Sequence, residues 1–186
     1  MNKVAIITGS TRGIGRHLAL ILAKNGYNIT VAGKTIKSTS KLPGDIYTVS
    51  KEVEDIGVSS LPFKLDVRND IDIRNCALTT YNKWGRIDVL INNAGALWWK
   101  PISQTSAKRY DLINQINSRG SFLMSKEVIP YMLKNKKNKN DDDDEDNIIN
   151  FSPPLKDVLL SNYTHLNNKT AYMISKLGMT LGAMGI

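Results

Sequence analysis

The sequence has one cysteine, no long apolar run and few acidic residues outside one short segment. Cys76 stands alone among 186 residues, so no internal disulfide can form, and we predict a buried, unreactive thiol on a helix. No apolar run reaches the length of a membrane span, and no secretory leader is recognisable at the N-terminus. These absences exclude a disulfide-stabilised secreted domain. They predict a cytoplasmic chain without a membrane span.

The balance of charge is basic. The formal net charge is +8, from 25 Lys and Arg residues and 17 Asp and Glu residues, and the run 141–146 consists entirely of acids. A basic surplus can indicate nucleic-acid binding. Because the basic residues form neither an aromatic platform nor a recognition helix, we predict a solvated lysine-rich surface and no nucleic-acid partner.

Short apolar strands alternate with amphipathic helices along the whole chain. Strands are predicted at residues 4–8, 28–32, 61–67, 89–91 and 148–151. Helices are predicted at 14–24, 46–56, 70–84, 106–134 and 168–182, with an interruption at Pro130 and with Ile14, Leu18, Ile21 and Leu22 as the apolar stripe of the first helix. This alternation predicts a single α/β domain over 1–186, built on a doubly wound parallel sheet of the Rossmann type in three α/β/α layers.

One segment interrupts the alternation. Residues 134–147 are rich in Lys and Asn and then in Asp and Glu, a composition that cannot bury apolar area and predicts a disordered insertion. The segment joins a helix to the next strand, so we place it at the end of the sheet opposite the ligand crevice. An acidic interaction tail is the alternative interpretation.

The segment 8–15 lies between the first strand and the first helix and predicts a phosphate-binding turn. Glycines permit a tight turn, a close approach of the backbone to a pyrophosphate and close packing of the helix, whose N-terminus attracts the anion. The glycine spacing is G-x-x-x-G-x-G. The predicted cofactor-binding residues of the turn are Gly9, Ser10, Thr11, Arg12, Gly13, Ile14 and Gly15.

The end of the second strand predicts which nicotinamide cofactor is bound. An NAD enzyme usually carries an acid there, on the ribose 2′-hydroxyl. This chain has Lys34 instead, which Arg12 would assist in binding the 2′-phosphate of NADP, so NADP is predicted and NAD is disfavoured. The alternative is that Lys34 is an ordinary surface lysine.

Two further motifs complete a set of three. Residues 92–95 read Asn-Asn-Ala-Gly and residues 172–176 read Tyr-Met-Ile-Ser-Lys. With the turn, they resemble the motifs of the short-chain dehydrogenase/reductase family in order and separation, and the resemblance covers the chain outside the acidic insertion. It implies hydride transfer between nicotinamide and an apolar alcohol or carbonyl substrate. Steroid, fatty acyl and terpenoid substrates all stay open.

The resemblance also implies roles for individual residues. Tyr172 and Lys176 lie four apart, hence on one helix face, where the lysine cation would lower the pKa of the phenol for acid–base catalysis. Lys176 would also hold the nicotinamide ribose, and Asn117 a proton-relay water. Asp66 would contact the adenine, and Asn92 would join the central strands near the cofactor. Buried structural roles remain open for Asp66 and Asn92.

The sequence departs from the family pattern in two places. The family's substrate-orienting serine is the second of a Ser-Ser pair, and this chain has Ser152 followed by Pro153. Ser152 is therefore the predicted catalytic serine, displaced by one position, with Ser161 as another candidate. The tryptophans Trp98 and Trp99 could line the substrate pocket or serve in packing.

The second departure concerns the last helix, within which the chain ends. We expect the last strands of the family fold to be missing, residues 148–151 to form an exposed sheet edge, and the apolar side of the last helix to need a partner. A homo-oligomer therefore stays open. A catalytically silent cofactor-binding or scaffold fragment is the alternative to an enzyme. The family resemblance adds the peroxisome and the mitochondrion as alternative compartments.

Overall fold

A five-stranded parallel sheet forms the centre of the computed structural model, which describes residues 2–40, 43–137, 145–152 and 168–185. The strands are arranged in the order β3-β2-β1-β4-β5, and every neighbouring pair is parallel. This arrangement confirms the predicted doubly wound sheet. The strands are β1 (Val4–Thr8), β2 (Asn28–Gly33), β3 (Ser60–Lys64), β4 (Val89–Asn92) and β5 (Asn147–Asn150).

Helices cover both faces of the sheet. Alternate residues of β1 point to opposite faces, so Ile7 packs with the first two helices and Ile6 packs with the third and fifth. Cys76 lies in the second of these cores, where burial raises the pKa of its thiol to about 12. The helices are α1 (Gly13–Lys24), α2 (Ile46–Glu54), α3 (Asp70–Trp84), α4 (Ala107–Asn114), α5 (Gly120–Lys137) and α6 (Thr170–Met184), with a 3₁₀ turn at Ile102–Gln104 and a π-helical segment at Gln115–Arg119.

The buried face of α1 differs from the predicted apolar stripe. Its fully buried residues are Gly15, Ala19 and Ala23, whereas Ile14 is 65% exposed. Small side chains let the helix backbone approach the sheet closely, and the larger Leu18 and Leu22 pack at the margin of the contact. The prediction was wrong because it ranked residues by hydrophobicity and not by the space available.

The long helix predicted at 106–134 is interrupted at a different place. The π-helical segment Gln115–Arg119 divides it, while Pro130 lies inside α5 without ending it. A π segment adds one residue to a helical turn and rotates the residues that follow it. The interruption therefore sets the direction of Asn117, a predicted catalytic residue.

Both ends of the segment 134–147 lie in regular secondary structure. Helix α5 continues to Lys137 and β5 begins at Asn147, while residues 138–144 lie outside the described residues. Asn135 is buried and donates to the Ile87 carbonyl at 2.6 Å and to the Asp146 carboxylate at 3.3 Å. These contacts explain why the polar ends of the segment are structured. Asn147 pairs with Val89 at the amino ends of the strands, opposite the turn that follows β1.

The edge strand β5 is partly exposed, as predicted, with Ile149 and Phe151 among the exposed apolar residues. Across the described ranges, no helix combines the length and apolar character needed to cross a bilayer.

A substitution in α1 tests the small-residue contact. Ala19→Leu should lower the free energy of unfolding by about 1–3 kcal/mol, because a larger side chain overpacks the space between helix and sheet. Urea denaturation measures the change. The control is His17→Leu, an exposed site on the same helix, where a change within about 0.5 kcal/mol is expected. Equal effects of the two substitutions would contradict the contact.

Candidate active site

The turn after β1 is closed against the loop after β4. Gly9 has φ +68°, and a Cβ at this position would lie 2.9 Å from the Ala94 Cα. A Cβ on Gly15 would lie 2.6 Å from the Gly9 carbonyl oxygen. Both positions therefore require glycine, Gly9 for its backbone conformation and both for the lack of space.

The N-terminus of α1 faces the cleft without a cap. No side chain within the described ranges caps the helix, and its first turn contains no acid, so its first N–H groups are free to bind an anion. The cleft above it has a volume of about 840 Å³, enough for a dinucleotide. The turn, the helix end and the cleft together fit the pyrophosphate and nucleosides of a nicotinamide cofactor.

Six of the seven predicted turn residues line this cleft. The exception is Ser10, which is fully buried with its hydroxyl 3.4 Å from the Ala32 carbonyl oxygen. Its side chain points toward the Ala32 carbonyl and away from the cleft, so cofactor contact by Ser10 stays a prediction. The six lining residues are Gly9, Thr11, Arg12, Gly13, Ile14 and Gly15.

Sequence reasoning missed Asn93 and Thr8, which join the turn to β4. The Asn93 Nδ2 donates to the carbonyl oxygens of Thr8 at 2.9 Å and Gly9 at 3.1 Å. The Thr8 hydroxyl accepts from the backbone N–H groups of Asn93 and Ala94 at 3.1 and 3.0 Å. The signal was present in the Asn-Asn pair, since successive side chains at the end of a strand point to opposite sides.

Asn92 points away from the cleft. Its Nδ2 donates to Asn150 Oδ1 at 2.9 Å and to Ser125 Oγ at 3.3 Å, so it joins β4 to β5 and α5. The side chain is buried and does not line the cleft. The structure therefore places Asn92 between strands, as the expected link between the central strands, and a direct contact of Asn92 with the cofactor stays a prediction.

Four charged residues line the end of the cleft where β2 and β3 end, which is the expected adenosine end. The Asp66 carboxylate pairs with Lys34 at 3.2 Å and with both edge nitrogens of Arg68 at 2.5 and 2.9 Å. The hydrogen bond from Arg68 holds the pKa of Asp66 well below its usual range. Arg12 donates to the Thr35 hydroxyl at 2.9 Å. This end of the cleft therefore has a net positive charge, from three cationic side chains and the carboxylate of Asp66.

Asn117 is the link between three elements. It is fully buried, and its Nδ2 donates to Ser175 Oγ at 2.9 Å and to the Ala96 carbonyl at 3.0 Å. Its Oδ1 accepts from the Ala96 N–H at 2.8 Å. The side chain thus connects the π segment, the loop after β4 and the last helix.

Lys176 is buried beside this link. Its ammonium donates to the Phe151 carbonyl at 2.7 Å and lies 3.4 Å from Met179 Sδ. Burial lowers the pKa of Lys176 and raises the pKa of Tyr172, which is half-buried. This direction differs from the expected lowering of the tyrosine pKa by the lysine cation, because the ammonium is held at the end of β5 and desolvation dominates at the phenol.

Ser152 contacts the last helix. Its hydroxyl donates to the Lys176 carbonyl at 2.8 Å and accepts a hydrogen bond from Thr180. These bonds use the hydroxyl that would orient a substrate, so a catalytic role for Ser152 stays a prediction. Pro153 and Ser161 lie outside the described residues.

Neither tryptophan lines the cleft. Trp98 donates from Nε1 to the Thr105 hydroxyl at 3.0 Å and stacks under the Arg109 guanidinium, 4.9 Å from the ring centre. Trp99 is exposed, with the Lys169 ammonium 5.6 Å from its ring. The apolar lining of the cleft comes instead from Leu97, Leu112 and Ile116, among others.

Comparison with known proteins identifies the family. The family model described as short chain dehydrogenase matches residues 3–150. The chain therefore belongs to the short-chain dehydrogenase family, whose members bind a nicotinamide cofactor.

The relatives agree with this assignment. Proteins named hydroxysteroid dehydrogenase-like protein 2 are 41% identical in Xenopus laevis and 39% identical in Homo sapiens, each over 97% of this chain and 40% of the relative. The chain thus spans about 40% of the length of these curated relatives. Among solved structures, a short-chain dehydrogenase of Mycobacterium thermoresistibile is 35% identical with a TM-score of 0.84, over 98% of this chain and 61% of its own. A metagenomic short-chain oxidoreductase in complex with NADP is 26% identical with a TM-score of 0.78, over 98% of this chain and 73% of its own.

Substitutions at two glycines with positive φ distinguish the effect of a close contact from the effect of backbone conformation. Gly9→Ala should weaken NADPH binding at least about tenfold, because the new methyl group displaces the loop after β4. Gly26→Ala is the control, since Gly26 has φ +83° but open space around its Cβ position. Fluorescence titration with NADPH distinguishes them. If Gly26→Ala weakened binding as strongly, the close approach at Gly9 would not be the cause.

Proposed function

We propose that the chain is an NADP-dependent oxidoreductase that transfers a hydride between nicotinamide and an apolar alcohol or carbonyl compound. One observation carries this proposal. The Lys176 ammonium and the Asn117 amide both lie close to Gly95, where an added Cβ would be 3.9 Å from Nζ and 3.4 Å from Oδ1. Catalytic-type side chains therefore converge at the carboxyl ends of the strands, where ligands of such sheets bind.

The cofactor supplies or accepts the hydride when it is bound, and the chain handles the proton. Burial raises the pKa of Tyr172, so its phenol is protonated near neutral pH and can donate to a carbonyl oxygen. Asn117 and Ser175 fix α6, which carries the tyrosine, against the π segment. The buried cation of Lys176 stabilises negative charge that develops nearby.

Several features support NADP over NAD. The end of β2 carries Lys34 and no acid, and Arg12 and Arg68 lie at the same end of the cleft. These cations suit the additional phosphate of NADP. The structurally similar metagenomic oxidoreductase was solved with NADP and a xylitol dehydrogenase of similar fold with NAD+, so the proposed preference rests on the cations of this cleft.

The substrate class, the assembly state and the compartment belong to the same proposal. The apolar cleft residues Leu97 and Ile116 favour an apolar alcohol or carbonyl substrate. Exposed Phe122, Leu181 and Met184 on α5 and α6 favour burial in a homo-oligomer. The single, buried cysteine supports the cytoplasm as the compartment.

The catalytic tyrosine gives the direct test. Tyr172→Phe should lower NADPH-dependent reduction of a carbonyl panel by at least about 10²-fold, because the proton donor is lost, with NADPH affinity nearly unchanged. The control is Tyr131→Phe, a ring stacked on Tyr81 at 4.7 Å within the α3–α5 contact, where activity should be retained. NADPH binding by the parent chain without turnover of any carbonyl would favour the silent scaffold and contradict the enzyme.

The pH dependence follows from the tyrosine. Below its raised pKa the phenol is neutral, so carbonyl reduction should be nearly constant around neutral pH and should fall at alkaline pH as the phenol ionises. Alcohol oxidation needs the phenolate and should rise over the same alkaline range. Steady-state rates in both directions across pH test this. A reduction rate that rises toward alkaline pH would contradict Tyr172 as the proton donor.

A further inference from the structure

The adenosine end of the cleft contains more cations than the two that the sequence pattern predicts. Its charged lining residues within the described ranges are Arg12, Lys34, Asp66 and Arg68, that is, three cations and one anion. An excess of positive charge at one end of a cleft raises the local concentration of anions. The arrangement of the three cations decides which of them can reach a ligand.

The guanidinium of Arg12 is already hydrogen-bonded to other groups of the protein. Its Nη2 donates to the Thr35 hydroxyl at 2.9 Å and to the Gly44 carbonyl at 3.4 Å, and its Nε donates to the Pro43 carbonyl at 3.4 Å. These bonds hold the loop after β2 against the phosphate turn. Arg12 therefore positions that loop, and a ligand would compete with three acceptors for it.

Lys34 and Arg68 share one oxygen atom of Asp66. Oδ2 lies 3.2 Å from Lys34 Nζ and 2.5 Å from Arg68 Nη2. Two cations that both reach one carboxylate oxygen can also reach two oxygens of one phosphate group, whose oxygens are close together. Lys34 is free to make this exchange, because its side chain is 67% exposed and flexible.

Arg68 has an unused edge. Asp66 accepts from its Nε and Nη2, which occupy one side of the guanidinium, and Nη1 has no hydrogen-bond partner in the described part of the chain. The side chain lines the cleft and is 34% exposed. A guanidinium carries five N–H donors, so it can hold a carboxylate on one edge and a phosphate on the other.

We propose that Arg68 is a specificity-determining residue that binds the 2′-phosphate of the cofactor together with Lys34, and that Asp66 is the positioning residue that holds Arg68 for this purpose. The inference rests on the proposed preference for NADP. The 2′-phosphate takes Lys34 from the carboxylate, while Asp66 keeps its two bonds to Arg68. No covalent step is involved.

Two nucleotides that differ only in the 2′-phosphate test the proposal. Isothermal titration of the full chain with adenosine 2′,5′-bisphosphate and with adenosine 5′-monophosphate measures the contribution of that group without any turnover. Arg68→Gln should weaken binding of the bisphosphate about tenfold or more and change binding of the monophosphate less than about twofold. The control is Arg74→Gln, which removes the same charge from α3 at a site paired with Glu127 outside the cleft.

Positioning by Asp66 has its own readout. In an Asp66→Asn background, Arg68→Gln should cost clearly less bisphosphate affinity than it does in the parent chain, because the guanidinium is no longer held. Thermal unfolding of each variant shows whether the fold is intact. An equal cost in both backgrounds would overturn the positioning role.

The outcomes separate this inference from the proposed function. If the parent chain binds the two nucleotides equally, the preference for NADP is wrong. If the parent prefers the bisphosphate and Arg68→Gln leaves that preference unchanged, or weakens both nucleotides alike, NADP stands and Arg68 serves only as the charge partner of Asp66.

Discussion

The cleft depends on the hydrogen-bonded contact between the ends of the two central strands. The Thr8 hydroxyl accepts the N–H groups of Asn93 and Ala94, and the Asn93 amide returns two bonds to the turn. These bonds hold the carboxyl ends of β1 and β4 at a fixed separation, with Gly9 and Gly15 of the turn close to the loop after β4. The N-terminus of α1 is thereby fixed relative to β4, whose following loop leads to Asn117 and the last helix. A dinucleotide bound as proposed would contact both, so this junction would set its binding geometry.

A second set of hydrogen bonds, centred on Asn117, connects the loop after β4 to the last helix. Asn117 is bonded to the backbone of Ala96 and to Ser175, and it lies in a π segment that turns it toward the interior. Local departures from regular helix geometry are costly and persist where packing and hydrogen bonds support them. Here they bring α6, with Tyr172 and Lys176, to the same edge of the sheet as the phosphate turn. The residues proposed for cofactor binding and for proton transfer are thereby held at one edge of the sheet.

The charges show how a site combines attraction with orientation. Lys34 alone would attract an anion to the end of β2. Asp66 adds no attraction for an anion, yet it directs Arg68 and Lys34 to one point by sharing an oxygen with both. Arg12 contributes by holding the neighbouring loop. Residues of one charge sign therefore serve different purposes according to the acceptors around them.

The sequence by itself determined the order of strands and helices, the parallel sheet, the position of the phosphate turn and the family. Each follows from local periodicity or from short motifs whose chemistry tolerates few residue types. The direction in which individual side chains point could not be predicted from the local sequence pattern. Sequence could not show that Asn93 faces the cleft while Asn92 and Ser10 face the interior, because a shift of one residue along a strand reverses the side of the sheet.

Tertiary structure decided the features that depend on space and on distant partners. The face of α1 that is buried against the sheet carries the small residues Gly15, Ala19 and Ala23, and Ile14 is exposed. The π segment that aims Asn117 is stabilised by a partner 58 residues away, Ser175. The pKa of Tyr172 is raised because packing removes water from the phenol. Burial is a property of the packed fold, and no spacing in the sequence records it.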